Sequence, residues 1–170
     1  NLGCSGYVFG LAQASTLIST IADGFGVLIC GDILSKAIDR NDRGTAMLFG
    51  DAFSATVVKY DKKSSPIYFA LRSDGSGFND LTIGSNFFTS EPYRDHTLKM
   101  NGLGVFQFAL SQVPDLIKEL GDFCRLPAAK HDHVFFHQPN QIILNHLIRR
   151  LNLAKEKTPF DFDQSGNASG

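Results

Sequence analysis

Tryptophan is absent from this 170-residue chain, and cysteine occurs only three times, at positions 4, 30 and 124. An odd count with wide spacing argues against a disulfide framework and for a reducing compartment. An excess of charge of one sign is also missing. Sixteen Lys and Arg stand against 17 Asp and Glu, for a net charge of −1. Nothing in that balance points to nucleic acid or to an anionic membrane surface as a partner. No apolar run reaches the length of a membrane span, no stretch repeats, and no segment is of low complexity. A secretory leader is lacking too, and the opening Asn1 in place of methionine reads as the loss of a true N-terminus. Apolar content is ample, at 43% with 15 phenylalanines, enough for the core of one ordinary domain.

Helix and strand patterns alternate along the chain. Val8, Leu11, Ala14, Leu17 or Ile18, and Ile21 fall at helical spacing, and Asp23-Gly24 ends the run. "FGVLICG" (25–31) is short and wholly apolar, the pattern of a strand buried on both faces. Residues 39–54 are rich in glycine and aspartate and predict a loop, followed by strands at 55–60 and 66–72 around a polar turn. A long irregular stretch runs from Ser73 to about Asp95, and loops of that length are usually functional. A second helix is predicted from Gly102 to Leu120, kinked at Pro114. "HVFF" (133–136) predicts a strand ending at His137, Pro139 suits the first position of a third helix, and "FDFD" (160–163) alternates like a strand. The alternation gives an α/β layered fold, with fewer strands than a buried sheet needs.

Three residues stand where chemistry is plausible. Cys4 precedes the first helix, whose positive end favours the thiolate, the form a covalent catalyst uses. A small buried hydrophobe is the alternative. Cys30, inside a strand, and Cys124, after the second helix, lack that setting. His137 sits where a strand hands over to a helix, as a base or hydrogen-bond donor, or simply as a polar cap. Asn167, in "SGNASG", also follows a short strand and fits the N-x-S glycosylation pattern. His131 and His133 alternate on one strand face, too few for a metal site, and His96 and His146 show no partner. Arg149 and Arg150 end a helix in agreement with its dipole, and with Lys155 and Lys157 could form a basic docking patch.

Five segments in register, "GCSGYVFGLAQASTLI", "GDILSKAIDRNDRGTAMLFGDAFSATVV", "MNGLGVFQFAL", "HQPNQIILNHLIRRL" and "GNASG", make the chain resemble β-ketoacyl-acyl-carrier-protein synthase III. That family belongs to the thiolase superfamily of condensing enzymes. The resemblance implies a Cys–His–Asn triad at Cys4, His137 and Asn167. It implies an acyl-enzyme on Cys4 formed from an acyl-CoA, and a malonyl group delivered by acyl carrier protein. It places Arg43 by the coenzyme A adenine and Phe49 on the acyl pocket. Gly102, Phe106 and Asn140 join them as substrate-binding positions, with Arg149 and Arg150 meeting the carrier protein. No metal or cofactor is implied. Pro139, Leu103 and Ile142 depart from the family pattern, which has alanine, asparagine and arginine there. The last two departures would weaken contacts to coenzyme A or the carrier.

The resemblance further implies a duplicated, five-layer αβαβα fold, present here only in part. Residues 1–62 would be the later part of the first half and 63–170 most of the second, without the opening strands or the final segment. Such a piece would expose sheet edges and apolar faces. A cytoplasmic enzyme, homodimeric at full length, is expected to start fatty-acid synthesis. The alternatives are a relative serving a secondary metabolite, or a non-catalytic truncated or partner subunit.

Overall fold

A computed structural model describes residues 2–21, 24–84 and 97–170. A 3-10 turn over Gly3–Ser5 leads into helix α1, Gly6–Ser19. The face of α1 that turns inward carries Tyr7, Gly10 and Ile18. Tyr7 Oη lies 3.2 Å from Thr56 Oγ1, and Ile18 is buried. At Gly10 a side chain would collide with Leu28, so the missing Cβ sets how closely α1 lies on the sheet. Of the two candidates for the buried helix position, Ile18 is the one inside, and Leu17 points out.

That sheet consists of β1, Phe25–Asp32, paired antiparallel with β2, Ala52–Lys59, in a register running from Phe25 opposite Lys59 to Asp32 opposite Ala52. The even-numbered residues lie under α1. The odd-numbered ones, Phe25, Val27 and Ile29 on β1 with Phe53 and Val57 on β2, face the other way and are uncovered. Val27 is 61% and Ile29 70% exposed. The apolar run at 25–31 therefore is not buried on both faces, because no layer among the described residues covers its second side.

The connection between β1 and β2 is irregular, as the sequence predicts, except that β2 begins at Ala52. It is held by short carboxylate links. Asp42 accepts from Gly44 N (2.9 Å) and from the buried Thr45 hydroxyl (2.7 Å), and Asp51 accepts from Ser35 N and Oγ (2.8 and 2.5 Å). The Asx turn at Asp42 and the longer-range clasp of Asp51 on Ser35 fix the path of this connection without a regular ladder.

A second small sheet pairs β3, Leu81–Ile83, with β4, Leu98–Met100, also antiparallel. Asn101 then caps helix α2, Gly102–Cys124. Its side chain accepts from Gly104 N at 3.3 Å, and its Nδ2 donates to Asp80 at 2.9 Å. The helix continues through Pro114 and beyond Leu120, so Cys124 closes it and does not follow it. Arg125, left-handed at φ 58°, ends the helix, with Leu126 N bonded back to Gly121 O at 3.0 Å.

Helix α3, Gln141–Arg150, packs on α2 through the buried Ile143, Leu144 and Leu147. A single helical turn, α4, covers Phe162–Ser165.

Four local expectations fail here. Residues 66–72 form no strand, since no described segment offers them a ladder, and Ile67 remains exposed. Residues 133–136 have one backbone link, Val134 N to Lys157 O at 2.8 Å, and form no strand either. Residues 160–163 alternate in sequence, yet the chain coils into α4 there. Pro139 lies one residue before the cap of α3 and is not the first helical residue, since Asn140 holds the capping position.

Candidate active site

Cys4 occupies the 3-10 turn immediately before α1, reached through Gly3 in the left-handed region at φ 52°. The helix start has no side-chain cap, because the Ser5 hydroxyl donates backward to Leu2 O at 3.1 Å. The thiol is half-buried, and loss of solvation holds its pKa above the ordinary thiol value. The Ser169 hydroxyl and local backbone act in the opposite direction, and the Asp32 carboxylate reinforces the rise. The expectation of a thiolate favoured by the helix is thus corrected: burial outweighs the groups that favour the anion.

The C-terminal segment comes back onto this turn. Asn167 is buried and forms an isolated parallel bridge with Phe49. Its N–H donates to Leu48 O at 2.8 Å, and its carbonyl accepts from Gly50 N at 3.0 Å. Its Oδ1 accepts from Ser169 N at 3.0 Å, leaving Nδ2 as the donor end of the amide. Two glycines make the approach possible. A side chain at Gly50 would run into the Ser165 carbonyl, and Gly166 turns the chain at φ 65°, where an added Cβ would stand 3.1 Å from Leu48 O. At the far end, a Cβ on Gly170 would stand 2.8 Å from Gly3 O, so the same strap ends beside the cysteine turn.

His137 is positioned by its neighbours. Gln138 clasps the start of the strap with both ends of its amide, donating to Pro159 O and accepting from Asp161 N, each at 3.2 Å. Asn140 caps α3 by accepting from Ile143 N at 2.9 Å. His137 itself is exposed. Desolvation pushes its pKa down to about 4. That exposure limits the depression, and with either value, 4 or the ordinary 6.5, the ring is mostly neutral at pH 7. A neutral imidazole has one N–H to donate.

The structure therefore ties the segments of Cys4 and Asn167 directly to each other, and anchors the residue after His137 to the strap that carries Asn167. Phe49 shares a backbone rung with Asn167 and is half-buried. Arg43 is exposed on the Asp42 turn. Gly102 opens α2, and Phe106 meets the His146 ring edge-on at 5.5 Å, a partner the sequence does not reveal for that histidine. Asn140 has its side-chain oxygen committed to the helix cap. Arg149 and Arg150 are exposed in the last turn of α3. Lys157 donates to His131 O at 2.9 Å. Leu103 and Ile142 are exposed apolar residues.

His131 and His133 are exposed but not on a strand, and His96 lies outside the described residues. Among the described residues no three His, Cys, Asp or Glu are grouped to hold a metal, and no helix is long and apolar enough to cross a membrane. A recess of about 310 Å³ between α3 and residues 155–160, lined by Leu144, Ile148 and Phe160, includes none of the three candidate residues. Sequence reasoning misses Gln138 and Ser169. The second had a signal: an Asn followed two residues later by Ser is the pattern of a side chain closing its own turn.

Residues 1–75 match the family model of 3-oxoacyl-(acyl-carrier-protein) synthase III, and residues 123–170 match the model of its C-terminal domain. The chain belongs to this synthase III family. A β-ketoacyl-(acyl-carrier-protein) synthase III of Streptococcus agalactiae serotype III is 36% identical over 169 residues, covering 98% of this chain and 52% of the relative. One from Streptococcus pneumoniae (strain Hungary19A-6) is 34% identical over 170 residues, with the same coverage. Among solved structures, a crystal structure of a 3-oxoacyl-(acyl-carrier-protein) synthase III superposes with a TM-score of 0.90 at 30% identity, over 100% of this chain and 56% of that one. The enzyme from Pseudomonas aeruginosa PAO1 gives 0.87 at 29% identity, over 99% and 52%. The fold is thus that of the thiolase-like synthases III, and the chain spans about half the length of the curated relatives it matches. The few strands and the uncovered sheet face agree with that span.

Proposed function

We propose that this chain carries the reactive centre of a decarboxylating condensing enzyme that starts fatty-acid synthesis. The observation that carries the reading is the strap: one segment holds Asn167 on the Phe49 rung and brings Ser169 to the turn of Cys4. The Cys4 sulfur, once deprotonated, attacks the thioester carbonyl of an acyl-CoA. The carbon–sulfur bond to coenzyme A breaks, and coenzyme A leaves as its thiolate, to be protonated. A malonyl group on acyl carrier protein then loses carbon dioxide, and the electron pair of the broken bond passes into the thioester enolate. His137 N–H and Asn167 Nδ2 donate to the enolate oxygen and stabilise the charge as it develops. The carbanion carbon attacks the acyl-Cys4 carbonyl, and the Cys4 sulfur departs.

Both donors suit this role. His137 is neutral at pH 7, and the opposite end of the Asn167 amide is already occupied. A carboxylate in place of Asn167 would not donate to an enolate. The driving force comes from thioester cleavage and carbon dioxide loss, so the scheme draws on no metal or cofactor. In this reading Arg43 contacts the coenzyme A adenine, and Phe49 walls the acyl pocket. Gly102, Phe106 and Asn140 border the substrate path, and Arg149 and Arg150 meet the acidic carrier. The exposed Leu103 and Ile142 give this chain a weaker hold on coenzyme A or the carrier than polar residues would. Residues 1–62 and 63–170 are taken as parts of the two thiolase-like halves, of a protein that is cytoplasmic and homodimeric when whole.

The test is incubation with a labelled acyl-CoA, followed by mass spectrometry of the Cys4 peptide, with Cys4→Ala as control. The expected result is a thioester adduct on Cys4 that malonyl-carrier protein discharges, more slowly in Asn167→Asp. No adduct on Cys4, or an adduct equally abundant on Cys30 and Cys124, would refute the reading.

A further inference from the structure

Ser169 is held in a conformation that a serine rarely adopts. Its φ is 65°, in the left-handed region, and the residue is not a glycine. The turn is closed by Asn167, whose Oδ1 accepts from Ser169 N at 3.0 Å. On its other side the Ser169 Oγ stands 3.8 Å from the position a Cβ on Gly3 would take. The hydroxyl thus stands beside the turn that presents Cys4, and it is one of the groups that favour the anion of that thiol. A glycine would occupy this backbone more comfortably, so the side chain is retained despite a conformational cost.

We infer that Ser169 is a positioning residue for Cys4, its hydroxyl held against the sulfur by a strained turn that Asn167 closes. Asn167 then has two tasks. Its Nδ2 is the donor of the proposed reaction, while its Oδ1 holds the serine that holds the nucleophile. In the thiolate state the hydroxyl donates to sulfur, and hydrogen bonds to charged groups are the stronger class. The charged group facing the thiol is Asp32, at the end of β1, which opposes the anion. Ser169 therefore offsets in part what burial and Asp32 impose on Cys4. This rests on Cys4 as the acylated residue of the proposed reaction, but it is testable without that reaction.

The experiment measures iodoacetamide alkylation of Cys4 against pH, read from the Cys4 peptide, for the full chain and for Ser169→Gly and Ser169→Ala. The two variants lose the same hydroxyl but differ in backbone: glycine relaxes the left-handed turn and alanine keeps it strained. The expected result is a midpoint raised by about half a pH unit or more in both. That corresponds to roughly threefold slower alkylation at pH 7, since one unit is tenfold. An unchanged midpoint in Ser169→Gly, or a shift in Ser169→Ala alone, would overturn the inference. If both variants shift while acyl-CoA leaves no adduct on Cys4, Ser169 stands and the condensing reading falls.

Discussion

Replacing Gly50 by alanine tests whether the strap is as tightly joined as its geometry states. An added Cβ would lie 3.2 Å from the Ser165 carbonyl carbon, nearer still to its oxygen, and 3.9 Å from Gly166 Cα. All three are backbone atoms, so no side chain can rotate away. The strap must retreat, and the bonds from Asn167 N to Leu48 O (2.8 Å) and from Gly50 N to Asn167 O (3.0 Å) must lengthen or break. Each is worth about 1 kcal/mol net, and forcing a methyl into a packed contact costs about 1–3 kcal/mol. The expected loss is therefore about 3–5 kcal/mol, or roughly 6–20 °C in Tm for a domain of this size. The assay is thermal unfolding followed by circular dichroism, with Gly75→Ala alongside. A Cβ at Gly75 meets nothing within 4 Å, so that variant should be neutral or slightly stabilising. A Tm for Gly50→Ala equal to that of Gly75→Ala would refute the reasoning.

Three further outcomes are expected. Asn140→Ala removes the cap of α3 and should cost about 1 kcal/mol; a urea midpoint equal to wild type would show that the bond contributes nothing. His137 has a folded pKa below its unfolded value of 6.5, so the unfolded chain binds more protons below that pH. Its contribution to stability is full above about pH 6.5 and is lost as pH falls toward 4; a ring-proton NMR midpoint at or above 6.5 would contradict this. The double variant Val27→Thr, Ile29→Thr alters the uncovered sheet face, so it should change stability by no more than about 1 kcal/mol in total. It should nevertheless reduce binding of an apolar dye, and an unchanged dye signal would mean that this face is covered in solution.

How much of this was readable beforehand depends on whether the determinant was local. The existence of helices α2 and α3 and the Asp-rich loop before β2 follow from short-range patterns, whereas the grouping of Cys4, His137 and Asn167 came from the family resemblance. Residues 66–72 and 133–136 have strand composition too, but a strand exists only where another chain segment offers its N–H and C=O groups. Composition carries no record of that partner. The same limit explains 25–31, which has the sequence of a doubly covered strand and only one cover. The thiol of Cys4 misled in another way: its helix was visible, but the surroundings that desolvate it come from residues far along the chain. Ser169 was hidden because its role depends on a backbone angle that Asn167 enforces.

The rung between Phe49 and Asn167 has a consequence for anyone who alters this protein. It joins a wall residue of the proposed acyl pocket to a donor of the proposed chemistry through main-chain atoms only. Libraries that vary the Phe49 side chain leave those atoms in place, so they should tune substrate selectivity with little effect on turnover. Insertions or deletions at 48–50 move the rung itself and cannot change one property without the other. Breadth and speed are separable here by side-chain exchange and inseparable by loop surgery.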